Sequence, residues 1–474
     1  MQLKQDRHGM RRWVSGLAVV AALVASSAQA TTLADALIGA YNHSGLIDQN
    51  RALLRAADDD VAIAASSLKP IINWSGDITR QLGESESVQS RAATSLAQTT
   101  VSLSITASLQ LFDGGADGSR IEATKETVLA TRAGLLNVEQ LVLLRAARAY
   151  FNVIRQQEFV SLGQNNLRLL QEELRAAQDR FDVGEVTRTD VALAEAAVAQ
   201  ARSNLAGSQR DLIQAQAEFT NVVGRAPGRL AGLPRLPQVE TVVPRAQSVA
   251  VRTHPDLIQA RHQVAANDLL ALAAGQDMNP TVSLEGRLSV TEEFSNTDST
   301  EVGTVGLNVT GPIYRGGSLF ATERRALANR DASRGNLHTV RHDVQQDVVD
   351  AISNLVAARA SLAASERQIR AARVAFQGVR EEATLGARTT LDVLDAEQDL
   401  LDAATNRISA QADQYIAAYE VLESMGFLTA ERLRLPVQRY DPTSYYNLVK
   451  DSPAKLSKQG RQLDQIIRTL TPDN

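Results

Sequence analysis

Cysteine is absent from this sequence of 474 residues. That absence excludes disulfide bonds, thiolate metal sites, a cysteine nucleophile and a lipid attached to an N-terminal cysteine. Aromatic residues make up only 4% of the chain, which is few for an ordinary globular core, although apolar residues still reach 44%. Charged residues, at 22%, are close to the average for globular proteins, so the composition excludes wholesale disorder.

Proline is scarce and unevenly placed. None occurs between Pro70 and Pro227 or between Pro312 and Pro436, so two long stretches lack the residue that interrupts helices and sheet ladders. Four of the prolines lie close together between these stretches, at positions 227, 234, 237 and 244. This distribution predicts two long regular blocks joined by an irregular linker. We place the blocks at 31–223 and 248–424, the linker at 224–247 and a C-terminal tail at 425–474.

The N-terminus has the pattern of a cleaved export signal over residues 1–30. A basic start precedes a short apolar run at 13–24, and Ala28 and Ala30 place small residues at the two positions that flank a cleavage site. The run is too short for a membrane anchor. Removing the signal takes away four positive charges and one negative charge, so the mature chain is more acidic than the net −5 of the whole sequence. Such a chain is a poor candidate for binding nucleic acid.

Alternating residues predict four β-strands. No run of eighteen apolar residues follows the signal, so we expect no membrane helix and any membrane contact would need strands. The clearest alternation of apolar and polar residues covers 100–112, as a strand with one apolar and one polar face requires. We place the four strands at 72–80, 100–112, 282–291 and 305–313, with polar loops at 83–98 and 292–301.

Strands of this length and pattern are typical of outer-membrane barrels, and a soluble hairpin is the alternative. Four strands cannot close a barrel, because the smallest single-chain barrels use about eight. An open sheet edge cannot lie in lipid. If these strands span a membrane, several subunits must therefore share the barrel.

The two blocks repeat each other. Residues 112–115 (Phe-Asp-Gly-Gly) recur at 314–317 (Tyr-Arg-Gly-Gly), and Gly184 recurs as Gly386, both at an offset of 202. Pro70 and Pro280, earlier in each block, are 210 residues apart. Landmarks at matching spacing are the signature of an internal duplication. The difference in offset predicts eight extra residues in the first copy, in a loop near 84–98.

Long helices fill the rest of each block. From Gly115 to Gly184, and again from Gly317 to Gly386, the chain runs 69 residues, enough for a helix of about 100 Å. Apolar residues recur every seven positions in the segment that follows, at Val191, Val198, Leu205, Leu212 and Phe219. That period predicts long antiparallel helices packed closely together, with Gly184 and Gly386 at the turns of two helical hairpins.

A series of short motifs resembles the TolC family of outer-membrane export ducts across essentially the whole mature chain. The motifs, in matching order and spacing, lie at 148–153, 180–184, 189–191, 311–317, 386–388 and 392–395. The resemblance implies a mixed α and β fold. Members of the family are homotrimers, and the resemblance implies the same assembly here. Each subunit adds four membrane strands to a shared 12-stranded β-barrel, and the helical hairpins form an α-barrel tunnel across the periplasm. It also implies an outer-membrane location, a periplasmic adaptor and an inner-membrane transporter as partners, contact with lipid, and no cofactor.

The resemblance places a gate at the hairpin tips. The family's closing network of arginine, threonine and aspartate matches Arg388, Thr189 and Asp190, and its aspartate ring matches Asp392 and Asp395. A tyrosine of that network is replaced here by Ala383. Solvated charge at a helix tip is the alternative interpretation of these residues. Six carboxylates around one axis would favour the passage of cations.

Other chemistry finds little support in the sequence. His338 and His342 have the i, i+4 spacing of metal ligands but lack the glutamate of a catalytic helix motif, so we expect neither a metal site nor enzymatic activity. Two classes of function remain: a passive duct for drug efflux or type I protein secretion, and a periplasmic coiled-coil adaptor or structural protein. The sequence does not identify the cargo.

Overall fold

The structure, a computed structural model, describes residues 30–86, 93–294, 298–451 and 457–470, so the predicted signal lies outside the described residues except for Ala30. The same order of elements occurs twice along the chain: two helices, then two strands, then two helices. The first set is α1 (Leu33–His43), α2 (Gly45–Ser66), β1 (Ile71–Glu86), β2 (Ala93–Phe112), α3 (Ala116–Asp182) and α4 (Arg188–Val223). The second is α5 (Val243–Thr253), α6 (Pro255–Gln276), β3 (Thr281–Glu293), β4 (Asp298–Thr310), α7 (Ser318–Thr384) and α8 (Thr390–Ser424). Two short helices follow, α9 (Pro442–Val449) and α10 (Lys458–Leu470).

The four strands form one antiparallel sheet in the order β1-β2-β3-β4. The predicted polar loops are wrong in extent, because β1 and β2 stay paired as far as Glu86 and Ala93, and β3 and β4 as far as Glu293 and Asp298. The fourth strand also ends at Thr310 rather than at 313. Polar composition suggested loops, but pairing with a neighbouring strand satisfies the backbone whatever the side chains are. The extra residues of the first copy therefore lengthen its strands, which have 16 and 20 residues against 13 and 13.

Strand register places the apolar residues of all four strands on one face. Trp74 pairs with Ile105, which pairs with Leu288, and these side chains are 77%, 48% and 65% exposed. The next row on the same face ends at Val305, which is 81% exposed. On the opposite face Ser102 donates a 2.6 Å hydrogen bond to Asp77. The sheet thus has one continuous apolar face open to its surroundings and one polar face.

Two helical hairpins extend from the sheet. α3 and α7 have 67 residues each, which corresponds to about 100 Å. α3 packs against α4 and α7 against α8, and α8 also packs against α3, so the hairpins lie side by side. Each long helix contains a stretch apolar enough for a membrane span, a composition that the core helices of soluble proteins share.

The main hydrophobic core lies partway along the hairpins. Tyr150 and Phe151 of α3 are fully buried there, together with residues of α1, α4 and α8. The Tyr150 hydroxyl donates a 2.8 Å hydrogen bond to the carbonyl of Gly232 in the irregular linker. The irregular segment ends at residue 242, where α5 begins, whereas the predicted linker runs to 247. Pro244 lies in the first turn of α5, where the fixed φ of proline favours a helix start.

The C-terminal tail packs on this core. Leu428 is fully buried in it, and the Tyr445 hydroxyl of α9 donates a 2.9 Å hydrogen bond to Asp59 of α2. The tail therefore ties the N-terminal helices to the end of the second hairpin.

Candidate functional site

The ends of the two hairpins farthest from the sheet bring the predicted site residues together. Gly184 lies between α3 and α4 with φ +81°, and Gly386 lies between α7 and α8 with φ +75°. A side chain at either position would be strained in this left-handed conformation. Each glycine thus allows the chain to reverse direction within a few residues of the end of a 67-residue helix.

Both returning helices begin with a capping box. Thr187 donates its backbone N–H and its hydroxyl to Asp190 at 2.9 and 2.7 Å, and Thr389 does the same to Asp392 at 2.9 and 2.8 Å. Hydrogen bonds from the Thr187 hydroxyl and then its N–H lower the pKa of Asp190. The bond from the Thr389 N–H, followed by that from its hydroxyl, lowers the pKa of Asp392. Both aspartates are therefore held in the ionised state at neutral pH.

Arg388 projects from the tip of the second hairpin. Its Nε lies 2.8 Å from Glu382 Oε2 in the same hairpin, and this hydrogen bond is the main cause that raises its pKa. Arg388 and Asp190 border one cleft of about 530 Å³ between the two tips. Thr189 is exposed. Within the described part of one chain, the predicted contacts among Arg388, Thr189 and Asp190 are not formed, since Glu382 and Thr187 take their place.

Asp392 and Asp395 lie in the first two turns of α8. Asp395 is exposed, and Asp392 is partly exposed. Residues three apart on a helix are neighbours on its surface, so the two carboxylates lie on one side of α8. Ala383, at the position of the missing tyrosine, is buried with Phe376 and Val393.

Sequence analysis missed an ionisable group at this end of the molecule. Glu397 of α8 is only 3% exposed. Near it, Arg380 Nε of α7 lies 2.9 Å from Glu173 Oε1 of α3. Burial, followed by repulsion from Glu173, raises the pKa of Glu397 to about 8, against the attraction of Arg380. Its position four residues after buried Val393 in the apolar stripe was the signal that could have found it.

The two histidines at which we expected no metal site lie far from the hairpin tips. The rings of His338 and His342 on α7 have centroids 4.5 Å apart. In the portions of the chain that the structure covers, no group of three or more His, Cys, Asp or Glu side chains could hold a metal ion.

The sequence matches the family described as outer membrane efflux protein over residues 40–225 and 247–426. It is 34% identical over 431 residues to the outer membrane efflux protein BepC of Brucella suis, covering 90% of this chain and 92% of that protein. It is 26% identical over 408 residues to the outer membrane protein TolC of Escherichia coli, covering 80% of each.

The fold resembles the crystal structure of the Campylobacter jejuni CmeC outer membrane channel, with a TM-score of 0.76 over 88% of this chain and 89% of that one, at 16% identity. The family match covers both helical hairpins and all four strands. The long hairpins, the amphipathic sheet and these similarities lead to one conclusion: the chain belongs to the outer membrane efflux protein family.

Proposed function

We propose that this protein is a passive outer-membrane duct that exports small molecules across the periplasm and the outer membrane. The observation that carries the proposal is the apolar face that continues through all four strands and is open to its surroundings. Such a face suits the hydrocarbon of a membrane, and the polar face opposite suits a water-filled channel. A periplasmic adaptor would have no need for a lipid-facing sheet.

Oligomerisation follows from the sheet edges. β1 and β4 are the edge strands of the four-stranded sheet, and an open edge cannot lie in lipid. We infer that β4 of one subunit pairs with β1 of the next, and that three subunits close a 12-stranded barrel, the number implied by the family resemblance. A periplasmic adaptor and an inner-membrane transporter would complete the export path, since the duct holds no energy source of its own.

The name of one relative bears on the role. BepC is named an efflux protein, so we propose efflux as the primary role and type I protein secretion as the second candidate. In both of these roles, the tips of the two hairpins form the gate. Arg388, Thr189 and Asp190 would then contact across subunits, because the Arg388 side chain is 49% exposed in the single chain and free to change partners.

Replacing Arg388 with serine is expected to raise the conductance of the protein in planar bilayers roughly several-fold, because a subunit contact at the closed tip is lost in every copy. The matched control is Arg373→Ser, an exposed arginine of α7, the helix that leads to the turn that contains Arg388. Equal conductance of Arg388→Ser and the wild type would contradict the proposed gate.

Replacing both Asp392 and Asp395 with asparagine is expected to reduce the preference for cations roughly several-fold, since the negative field at the constriction is removed. The N-cap residue Thr389 is unchanged, and the amide oxygen of asparagine at 392 can still accept the Thr389 N–H, so α8 should keep its start. Hydrogen bonds from Thr389 lower the pKa of Asp392, so its contribution to the wild-type preference should persist below the ordinary pKa of an aspartate. Reversal potentials in a salt gradient measure the preference for cations. The control is Asp179→Asn with Asp182→Asn, at the same spacing on α3, and equal selectivity of both double variants would remove Asp392 and Asp395 from the filter.

A further inference from the structure

Three ionisable side chains from three helices meet between the hairpins, a few turns from the tip. Glu173 belongs to α3 in the first hairpin, and Arg380 and Glu397 belong to α7 and α8 in the second. The Arg380–Glu173 ion pair, at 2.9 Å, is partly sheltered, with the two side chains 47% and 12% exposed. Of the ion pairs in the described residues, it is the one nearest the tip that joins the two hairpins.

Glu397 is buried beside this pair without a hydrogen-bond partner. Both of its carboxyl oxygens are inaccessible and unbonded within the described structure. Its side chain borders a cavity of about 80 Å³ between α3, α4 and α8. The other polar residues that line the cavity carry neutral amides: Asn166, Gln200, Asn204 and Gln398. Among the described residues that line this cavity, those of α4 carry no charge.

The charge of Glu397 depends on what faces it from each helix. Glu173 on α3 repels an ionised Glu397, Arg380 on α7 attracts it, and burial penalises the ionised form most. The pKa of about 8 means that Glu397 holds a proton at neutral pH. When Glu397 is neutral, Arg380 pairs with Glu173 alone. When Glu397 is ionised, two buried carboxylates share a single guanidinium and repel each other.

We propose that Glu173, Arg380 and Glu397 form a proton-dependent latch that holds the two hairpins of one subunit together when the duct is closed. The inference rests on the proposed function, because it assumes a gate at the tip. It differs from the predicted network in residues and in place: Arg388 pairs within its own hairpin, whereas the latch crosses from one hairpin to the other. An apolar contact of Leu169 of α3 with the cluster around Phe376 and Ala383 lies beside it. This contact and the latch hold the closed tip where the family's tyrosine is missing.

The latch gives the gate a defined response to pH. When the hairpins separate, water reaches Glu397 and its pKa returns toward the ordinary value of 4.5. Between this value and about 8 the closed state holds a proton that the open state has released. The closed state is therefore favoured at the acidic end of the window, and raising the pH favours opening, by up to about tenfold per pH unit for each subunit.

The test is the conductance of the full-length protein in planar bilayers from about pH 5 to about pH 9. The open fraction of the wild type should rise with pH. Glu397→Gln, which is uncharged and of nearly equal size, should stay closed and show a flat profile. Arg380→Gln should raise the open fraction at least several-fold at neutral pH, because Glu173 is left buried without its partner. The controls are Glu172→Gln and Arg373→Gln, exposed residues on α3 and α7, the two helices that the Glu173–Arg380 ion pair joins.

Equal pH profiles for the wild type and Glu397→Gln, or unchanged conductance of Arg380→Gln, would overturn the latch. Arg388→Ser in the same experiment separates the two proposals. If Arg388→Ser opens the duct and the latch variants do not, the gate stands and the latch is wrong. If neither the wild type nor any variant conducts, the proposed function is overturned and the latch with it. Migration of each variant on an unheated gel confirms that it is folded and assembled.

Discussion

Replacing Phe151 with alanine is expected to lower the free energy of unfolding by about 3 to 5 kcal/mol, the loss that follows when a large aromatic side chain is removed from a core. Phe151 is fully buried. Its ring centroid lies 5.0 Å from that of Tyr415 and 5.8 Å from that of Tyr419, both on α8. The side chain therefore joins the two hairpins. The helices are held along their whole length, so they cannot move in to fill the cavity that Phe151→Ala would leave.

The control for this variant is Phe181→Ala, which removes the same ring from the same helix at a position 43% exposed. We expect it to change the free energy by no more than about 0.5 kcal/mol. Urea titration of the detergent-extracted protein, followed by far-ultraviolet circular dichroism, measures both. Equal losses for the two variants would contradict the core that we describe.

Replacing Val305 with arginine is expected to destabilise each subunit by about 2 to 4 kcal/mol, because the substitution puts a charge near the middle of a lipid-facing strand. Val305 belongs to the apolar face, in a row with Gly286 and Ala107. That row lies midway along the apolar band, between Leu284 toward the helices and Val290 toward the far end of the sheet. The penalty should therefore be near its maximum for this sheet.

Asn308→Arg is the matched control, on the same strand but on the polar face with Ser283. In the proposed duct a charge there would face the channel, so it should leave stability nearly unchanged. The temperature at which the membrane-extracted protein loses its folded migration on a gel should fall for Val305→Arg alone. If Asn308→Arg proved the more damaging of the two, the faces of the sheet would be assigned the wrong way round.

Local patterns were enough to predict the four strands and the long helices. Alternation identified all four strands, because a sheet with one apolar and one polar face must alternate along each strand. The distance between Gly115 and Gly184 predicted the long helix, since α3 fills all but a few of those residues. The predicted loops at 83–98 and 292–301 were wrong in extent because strand pairing outside the apolar band leaves no apolar signal in the sequence.

At the tip, the sequence predicted where the site residues lie but not which residues they contact. The two turn glycines have the positive φ that this reversal needs, and Asp190 and Arg388 border one cleft. The partners they have in the single chain were not predicted, although the Thr187-x-x-Asp190 spacing is a readable variant of the capping box. The Glu173–Arg380 pair could not be predicted, because it depends on how α3 and α7 approach each other across more than 200 residues of chain.

The measurement that most directly tests the central claim is the native mass of the protein extracted from outer membranes in detergent. A shared barrel predicts a stable assembly of three chains that resists dissociation until it is heated. A protein found in the soluble periplasmic fraction as a monomer or dimer would contradict the membrane duct and favour the coiled-coil adaptor instead.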